Sequence, residues 1–271
     1  MPIPERLNPS FGSARPPVSD PSDEVRKRLG EARDRLIVAL DVPDAASAVR
    51  LVGQLENHCQ WFKVGLELFV SAGPAVIEPL VERGHSVFLD LKLFDIPNTV
   101  ASAVRSAAAL GVKMLTLHAA GGPAMLAAAR AALDEIAARD GVEKLPELLA
   151  VTVLTSMDQA QVNAVGLTRS PAEQVELLAR MGLDAGIRGF VCSPQEVAGL
   201  RALTGPTGVL VIPGIRPAGA AVGDQKRIAT PADALRQGAS YLVVGRPITQ
   251  APDPAEAAEA ILKEMAEALQ A

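Results

Sequence analysis

Eight times along the chain a short run of Val, Ile and Leu gives way to an alanine-rich amphipathic stretch, and this repetition restricts the fold more than any other feature. The runs are LIVALD (36–41), WFKVGL (61–66), SVFLDLK (86–92), KMLTLHA (113–119), LLAVTVLT (148–155), GFVCS (189–193), GVLVIPG (208–214) and SYLVVG (240–245). Helical patterns fill the gaps, among them DAASAVRLVGQLE, NTVASAVRSAAAL and PAEAAEAILKEMAEAL. Eight strand-helix units in roughly 240 residues match a (β/α)8 barrel, for which about 250 residues is typical. The alternative, an open doubly wound sheet, would normally announce a GxGxxG turn after an early strand, and LDVPDAASA offers none. The expected fold class is therefore α/β, a (β/α)8 TIM barrel in a single domain over 35–271. Residues 1–34 read as an N-terminal extension: Pro- and Ser-rich over 1–22, then a short charged helix, SDEVRKRLGEARDR, leading into the first strand.

Composition narrows the class of partner. A formal net charge of -5 with 21% charged residues lacks the basic excess that phosphate-backbone binding requires, so no nucleic acid is expected. The mean hydropathy of +0.22 comes from alanine and the short aliphatic runs, and no apolar stretch approaches the ~18 residues of a membrane span. The first residues lack a basic segment followed by an apolar core, so the expected location is cytoplasmic. Cys59 and Cys192 stand far apart and read as buried thiols of a reducing compartment. His58, His85 and His118 are widely separated, with no HxH or HExxH pattern, so no metal site is indicated.

Catalytic groups in such barrels sit at the carboxyl ends of strands, and several strands here end in polar residues. Asp41 ends the first, Lys63 lies in the second, Asp90 and Lys92 end the third, His118 ends the fourth and Ser156 follows the fifth. Because strand side chains alternate, Phe88, Asp90 and Lys92 share one face and Leu89, Leu91 and Leu93 the other. The leucines should face the helices, leaving Asp90 and Lys92 in the barrel mouth and Asp95 on the loop beyond. A bland reading makes Asp90 and Lys92 a structural ion pair and Asp95 a cap for the helix near Pro97. Burying such a pair seldom gains stability over apolar residues, which favours a chemical role at a strand end. With Lys63 added, the groups form an alternating row that keeps each lysine protonated; opposite charges ~4 Å apart attract by ~4 kcal/mol at an effective dielectric of about 20. A lysine held charged suits stabilising a carbanion and donating a proton, not Schiff-base chemistry. His118 is as readily a satisfied histidine at a strand end, and Trp61 and Phe62 read as core.

A second cluster lies in IPGIRPAGAAVGDQKRIATPADAL (212–235) and VVGRPIT (243–249), after the seventh and eighth strands, where such barrels recurrently bind phosphate. Pro213 and Gly214 lead the first loop, Gly245 lets backbone approach on the next strand, and Arg246 adds a forked cation suited to phosphate oxygens. The stretch 215–227, with Gly219, Gly223, Gln225, Lys226 and Arg227, has the length and glycine content of a lid; otherwise it is a surface loop with solvated charges.

Taken together, FLDLKLFDIPNTV resembles the Asp-x-Lys-x-x-Asp signature of orotidine 5'-phosphate decarboxylases. The resemblance runs over almost all of residues 35–265, with VALD, FKVGLELF, LTLHAAGG, TVLTS, PGIRPAGAAVGDQKRIATP and YLVVGRPIT in the same order and spacing. It implies conversion of orotidine 5'-monophosphate (the substrate) to uridine 5'-monophosphate (UMP, the product) and CO2, with no cofactor. It further implies that Lys92 protonates C6 of the pyrimidine, that Asp90 lies beside the departing carboxylate, and that Lys63 completes the charged row near the ribose. Asp41 would hold a ribose hydroxyl, Ser156 and Gln225 the pyrimidine, and Gln225 and Arg246 the phosphate, with backbone amides near Gly214 and Gly245. Asp95 and Thr99 would reach into a neighbouring subunit's site, making a homodimer with shared active sites. Two rivals remain at this point: a metal-dependent sugar-phosphate decarboxylase or aldolase of the same barrel superfamily, and a catalytically silent nucleotide-phosphate binding protein.

Overall fold

The protein is described here by a computed structural model covering residues 21–142, 145–217 and 227–269. Eight parallel strands close into a barrel in sequence order: β1 (Leu36–Ala39), β2 (Trp61–Val64), β3 (Ser86–Leu93), β4 (Met114–His118), β5 (Glu147–Val151), β6 (Gly189–Val191), β7 (Val209–Ile212) and β8 (Tyr241–Val244). The helices are α1 (Pro21–Arg35), α2 (Ala45–Leu55), α3 (Leu66–Ala72), α4 (Glu78–Glu82), α5 (Pro97–Ala109), α6 (Gly122–Asp140), α7 (Gln159–Ala164), α8 (Pro171–Asp184), α9 (Val197–Thr204), α10 (Pro231–Arg236), α11 (Arg246–Thr249) and α12 (Pro254–Ala268). The expected barrel is therefore the observed one, and among the described residues no helix is long and apolar enough to cross a membrane.

Alternation along each strand builds two cores. Val38, Phe62, Leu89, Leu115, Ala150, Phe190, Leu210 and Leu242 point outward and pack beneath the helices. Ile37, Ala39, Phe88, Met114, Leu149, Val211 and Val243 point inward and fill the barrel, with Trp61 and Tyr241 packed edge-on at 5.2 Å against that filling. A packed interior of this kind is a plug rather than a pore. One step further along the same inward rows the residues change character: Ala39 is followed by Asp41, Trp61 by Lys63, Phe88 by Asp90, and Met114 by Thr116 and His118. Sequence alternation thus carries the polar groups to the carboxyl-terminal mouth.

The helices start where their chemistry dictates. Asp44 accepts from the Ser47 N–H at 2.7 Å before α2, Ser170 and Glu173 form a capping box on α8, and Asp253 accepts from Ala255 and Glu256 at the head of α12. The charged helix expected before the first strand is α1; it packs against α12, with Ala32 fully buried, and runs directly into β1. The fifth aliphatic run reads as strand to Thr155 but leaves the ladder after Val151, because the Val153 and Leu154 carbonyls turn to Arg227 instead of a neighbouring strand. Both cysteines are buried and free; burial pushes the Cys59 thiol up to about 12.

Candidate active site

The row of charges inferred from alternation exists in space. Lys63 Nζ lies 3.1 Å from Asp41 Oδ1 and 3.6 Å from Asp90 Oδ2, and Lys92 Nζ lies 2.8 Å from Asp90 Oδ1. The order across the mouth is Asp41, Lys63, Asp90, Lys92, in which each inner charge sits between two opposite ones. Lys63 is only 9% exposed. Burial, the largest influence on Asp90, would raise its carboxyl, but the Lys63 and Lys92 ammoniums and hydrogen bonds from Lys92 and Thr116 more than offset it, leaving the group below the usual carboxylate range.

Alternation alone does not aim Lys92. Pairing between β3 and β4 shifts register between Leu89 and Leu93, and Lys92 takes φ 51°, the sole non-glycine residue with positive φ among those described. Such a conformation costs on the order of 1–3 kcal/mol and persists only when its surroundings impose it. Here the Lys92 N–H donates to Thr116 Oγ1 at 2.8 Å, and the Thr116 hydroxyl donates to Asp90 Oδ1 at 3.0 Å. Thr116, fully buried, therefore holds backbone and carboxylate together. Its sequence signal was its place between Met114 and His118 on the inward row of LTLH. His118 follows on that row, half-buried, its ring 5.7 Å from that of Phe94; burial, then the charge of Lys92, keep its imidazole below the usual value, with Asp90 opposing.

Lys92 and Asp90 face a cavity of about 180 Å3 whose wall is Phe88, Val151, Val153, Leu154, Thr155, Val191, Cys192, Pro213 and Val243. Small-molecule pockets usually span roughly 300–1,000 Å3, so this space takes one apolar-faced portion of a ligand and the rest extends outward. Pro213 lines it, whereas Ser156 lies on the loop after β5 and the neighbouring Thr155 lines the wall.

Gly214 adopts φ 76°, a turn that an L side chain resists, directly before Ile215 and Arg216. Ile215 bridges to Ala229, and the Arg216 N–H donates to the Ala229 carbonyl at 3.0 Å, closing the base of the loop between them. Arg216 is buried, and burial, then the nearby charge of Arg246, lower its pKa. Arg216 Nη1 donates to the Ile215 carbonyl at 2.8 Å, and two guanidinium charges near one another suit a multiply charged anion. Gly245 lies against Asp41, and a Cβ on this glycine would stand 3.5 Å from Asp41 Oδ2, so the phosphate-type loop and the charged row adjoin. Gln225, with Gly219, Gly223 and Lys226, falls outside the described residues.

Asp95 and Thr99 do not join the row within one chain. Asp95 is exposed, its Oδ1 accepting from the Ile96 N–H at 2.6 Å, and among the described residues it makes no ion pair with Lys92 or Lys63. The residue capping α5 is Ile96, without a side-chain bond, so Asp95 is not the helix cap of the bland reading. Thr99 is exposed on the first turn of α5. Arg227 is likewise not a solvated loop charge: it is buried and paired with Glu196.

The arrangement is a lysine ammonium paired with a carboxylate, within a row of alternating charges, beside an apolar slot and with the glycine-arginine turn after β8 adjoining. Comparison with known proteins fits this chemistry. The model of the Orotidine 5'-phosphate decarboxylase / HUMPS family matches residues 34–261. An Orotidine 5'-phosphate decarboxylase of Moorella thermoacetica is 54% identical over 235 residues, 86% of this chain and 93% of that protein. One from Anaeromyxobacter sp. is 53% identical over 228 residues, 84% of this chain and 96% of the relative. The crystal structure of Orotidine 5'-phosphate decarboxylase from Lactobacillus acidophilus superposes with a TM-score of 0.74 at 42% identity, covering 85% of this chain and 98% of that one. With one family matched along nearly the whole barrel and relatives more than half identical over most of their length, this chain belongs to the Orotidine 5'-phosphate decarboxylase / HUMPS family.

Proposed function

We infer that the charged row acts on orotidine 5'-monophosphate, releasing CO2 from C6 of the pyrimidine and leaving uridine 5'-monophosphate, in pyrimidine nucleotide synthesis. The observation that carries this reading is Lys92 Nζ, 2.8 Å from Asp90 Oδ1 and facing the apolar cavity. The C6–carboxylate bond breaks with its electron pair left on C6, and the Lys92 ammonium gives C6 a proton. Asp90, ionised beside the substrate carboxylate, faces less negative charge once CO2 has left, so the site fits what forms better than what was bound. Lys63 stands on the ribose side of the row, and Asp41 accepts from a ribose hydroxyl. Ser156 and Gln225 contact the pyrimidine, while Pro213, Gly214, Gly245 and Arg246, with Gln225, hold the phosphate.

The enzyme works as a homodimer in the cytoplasm, its catalytic barrel spanning 35–271 with 1–34 as an extension. Support for the dimer comes from the mouth: Phe94 is 62% exposed and Ile96 66%, flanking Asp95, while Leu66 is exposed at the head of α3. An apolar rim of this sort marks an association surface, and it would carry Asp95 and Thr99 across to the partner's charged row. Two buried free thiols accord with a reducing compartment.

No cofactor is assigned, and the reaction is expected to proceed at full rate in EDTA. Loss of orotidine 5'-monophosphate absorbance, followed before and after chelation, tests this directly. Activity that vanished with EDTA and returned with Mg2+ would favour the sugar-phosphate type of chemistry.

Gly65 gives a sharper test of the row. A Cβ at this position would lie 2.7 Å from Lys63 Nζ and 3.5 Å from Asp41 Oδ1. Only the tip of a flexible side chain must move, so Gly65→Ala should fold with a melting temperature close to wild type. Displacing that tip disturbs the whole row, and a misplacement of about 1 Å costs roughly 100-fold in rate. Equal melting temperatures with kcat/KM down by about that factor is the expected result; unchanged kcat/KM would show that Lys63 placement is not critical.

A further inference from the structure

Arg227, Glu196 and Ser193 form a buried polar group that none of the roles above uses. They are 7%, 9% and 0% exposed. Arg227 Nη1 donates to Glu196 Oε1, and Glu196 Oε2 accepts from the Ser193 hydroxyl and, at 3.0 Å, from the Ser193 N–H. On its other side, Arg227 Nη2 donates to the Leu154 carbonyl at 3.0 Å and lies 3.5 Å from that of Val153. Arg227 Nε is buried with no partner among the described residues. One guanidinium therefore ties together the segments after β5 and β6 and the strand of chain returning from the loop after β7.

Two physical points argue against a purely structural device. A buried ion pair is often no more stabilising than apolar residues of similar volume. The parts it grips are also particular: Val153, Leu154 and Thr155, and Cys192 next to Ser193, all line the cavity that Asp90 and Lys92 face.

We propose that Arg227 is a positioning residue for the decarboxylation: held by Glu196, its fork fixes the Val153 and Leu154 carbonyls and so sets the Thr155 wall against the pyrimidine beside Lys92. The inference rests on the reading under Proposed function. A planar fork can serve a carboxylate and two carbonyls at once, whereas a lysine at this place would keep the charge pair and lose the grip.

The decisive variant is the double one, Arg227→Met with Glu196→Gln, which leaves no unpaired charge in the interior. If the pair served only stability, this protein would turn over normally once folded, whatever its melting temperature. Positioning predicts a folded protein whose kcat/KM for orotidine 5'-monophosphate is down roughly 10- to 100-fold. Arg227→Lys, which keeps the charge pair, should show the same defect and stands in if the double variant does not fold. Adding Thr155→Val should then cost no more than Thr155→Val alone, because both changes act on one wall. Wild-type kcat/KM in the folded variants, or losses that simply multiply in the Thr155→Val background, would overturn the proposal. Wild-type protein that formed no uridine 5'-monophosphate would remove the functional reading itself, whereas active wild type with unimpaired variants removes this proposal alone.

Discussion

Lys92→Ala is expected to release no measurable CO2 from orotidine 5'-monophosphate while still binding uridine 5'-monophosphate. On the proposed reading the variant loses a proton donor, worth about 10²- to 10⁴-fold, and the cation facing the developing carbanion, worth a further 10²- to 10³-fold. A fall of roughly 10⁴-fold or more in kcat/KM corresponds to at least about 5 kcal/mol of transition-state stabilisation. Product binding should survive because, on the reading proposed above, the phosphate is held near Gly214, Arg216 and Arg246, after β7 and β8, rather than by Lys92. Asp90 would keep Lys63 at 3.6 Å and the Thr116 hydroxyl at 3.0 Å, so the mouth should stay folded. Its carboxyl would nonetheless rise, having lost one of the two ammoniums that hold it down. Calorimetric binding of uridine 5'-monophosphate alongside the CO2 assay separates the outcomes: loss of both would mean that Lys92 organises the pocket, and retained turnover would take the proton donor elsewhere.

The order of lysine and aspartate across the mouth could be read from the chain because two simple periodicities coincide. Period-two alternation put Phe88 and Asp90 on one side of β3 and the leucines on the other, and the cores follow that division. Eight repeats required a closed barrel, and closure brings β1, β2 and β3 side by side, so Asp41, Lys63 and Asp90 must meet. What alternation could not show is whatever depends on departures from it. The register shift before Leu93 and the positive φ of Lys92 are set by Thr116 from the next strand, a contact between residues 24 apart in the chain. Gly65 looks like an ordinary strand-end glycine until the Lys63 ammonium is seen beside it. Arg227 reads as one more charge in a polar loop, since nothing local tells that Glu196, 31 residues earlier, waits in the interior. Asp95 shows the opposite limit: its motif spacing is clear, yet in a single chain its carboxylate faces solvent, and a charged row for it to join would have to come across an interface.

That last point leads to a subunit-mixing result. If each mouth is completed by the partner's Asp95, then Lys92→Ala and Asp95→Asn are both nearly inactive as pure proteins, the second by roughly 10²- to 10³-fold for want of a placed carboxylate. Random reassortment of equal amounts gives half heterodimers. In each of these, one mouth combines intact Lys92 of the Asp95→Asn chain with intact Asp95 of the Lys92→Ala chain, while the other mouth carries both defects. The mixture should therefore recover about a quarter of wild-type activity per chain, as the two-fold symmetry of a dimer with shared sites requires. Apolar exposure of Phe94 and Ile96 on either side of Asp95 is the physical reason to expect the reassortment to depend on this rim. Replacing both with Ser should then weaken the dimer and, with it, the recovery, measured by sedimentation and by the same assay on one sample. A mixture that stays as inactive as its parents, under conditions where exchange of subunits is demonstrated, would show that Asp95 serves its own chain or no site at all.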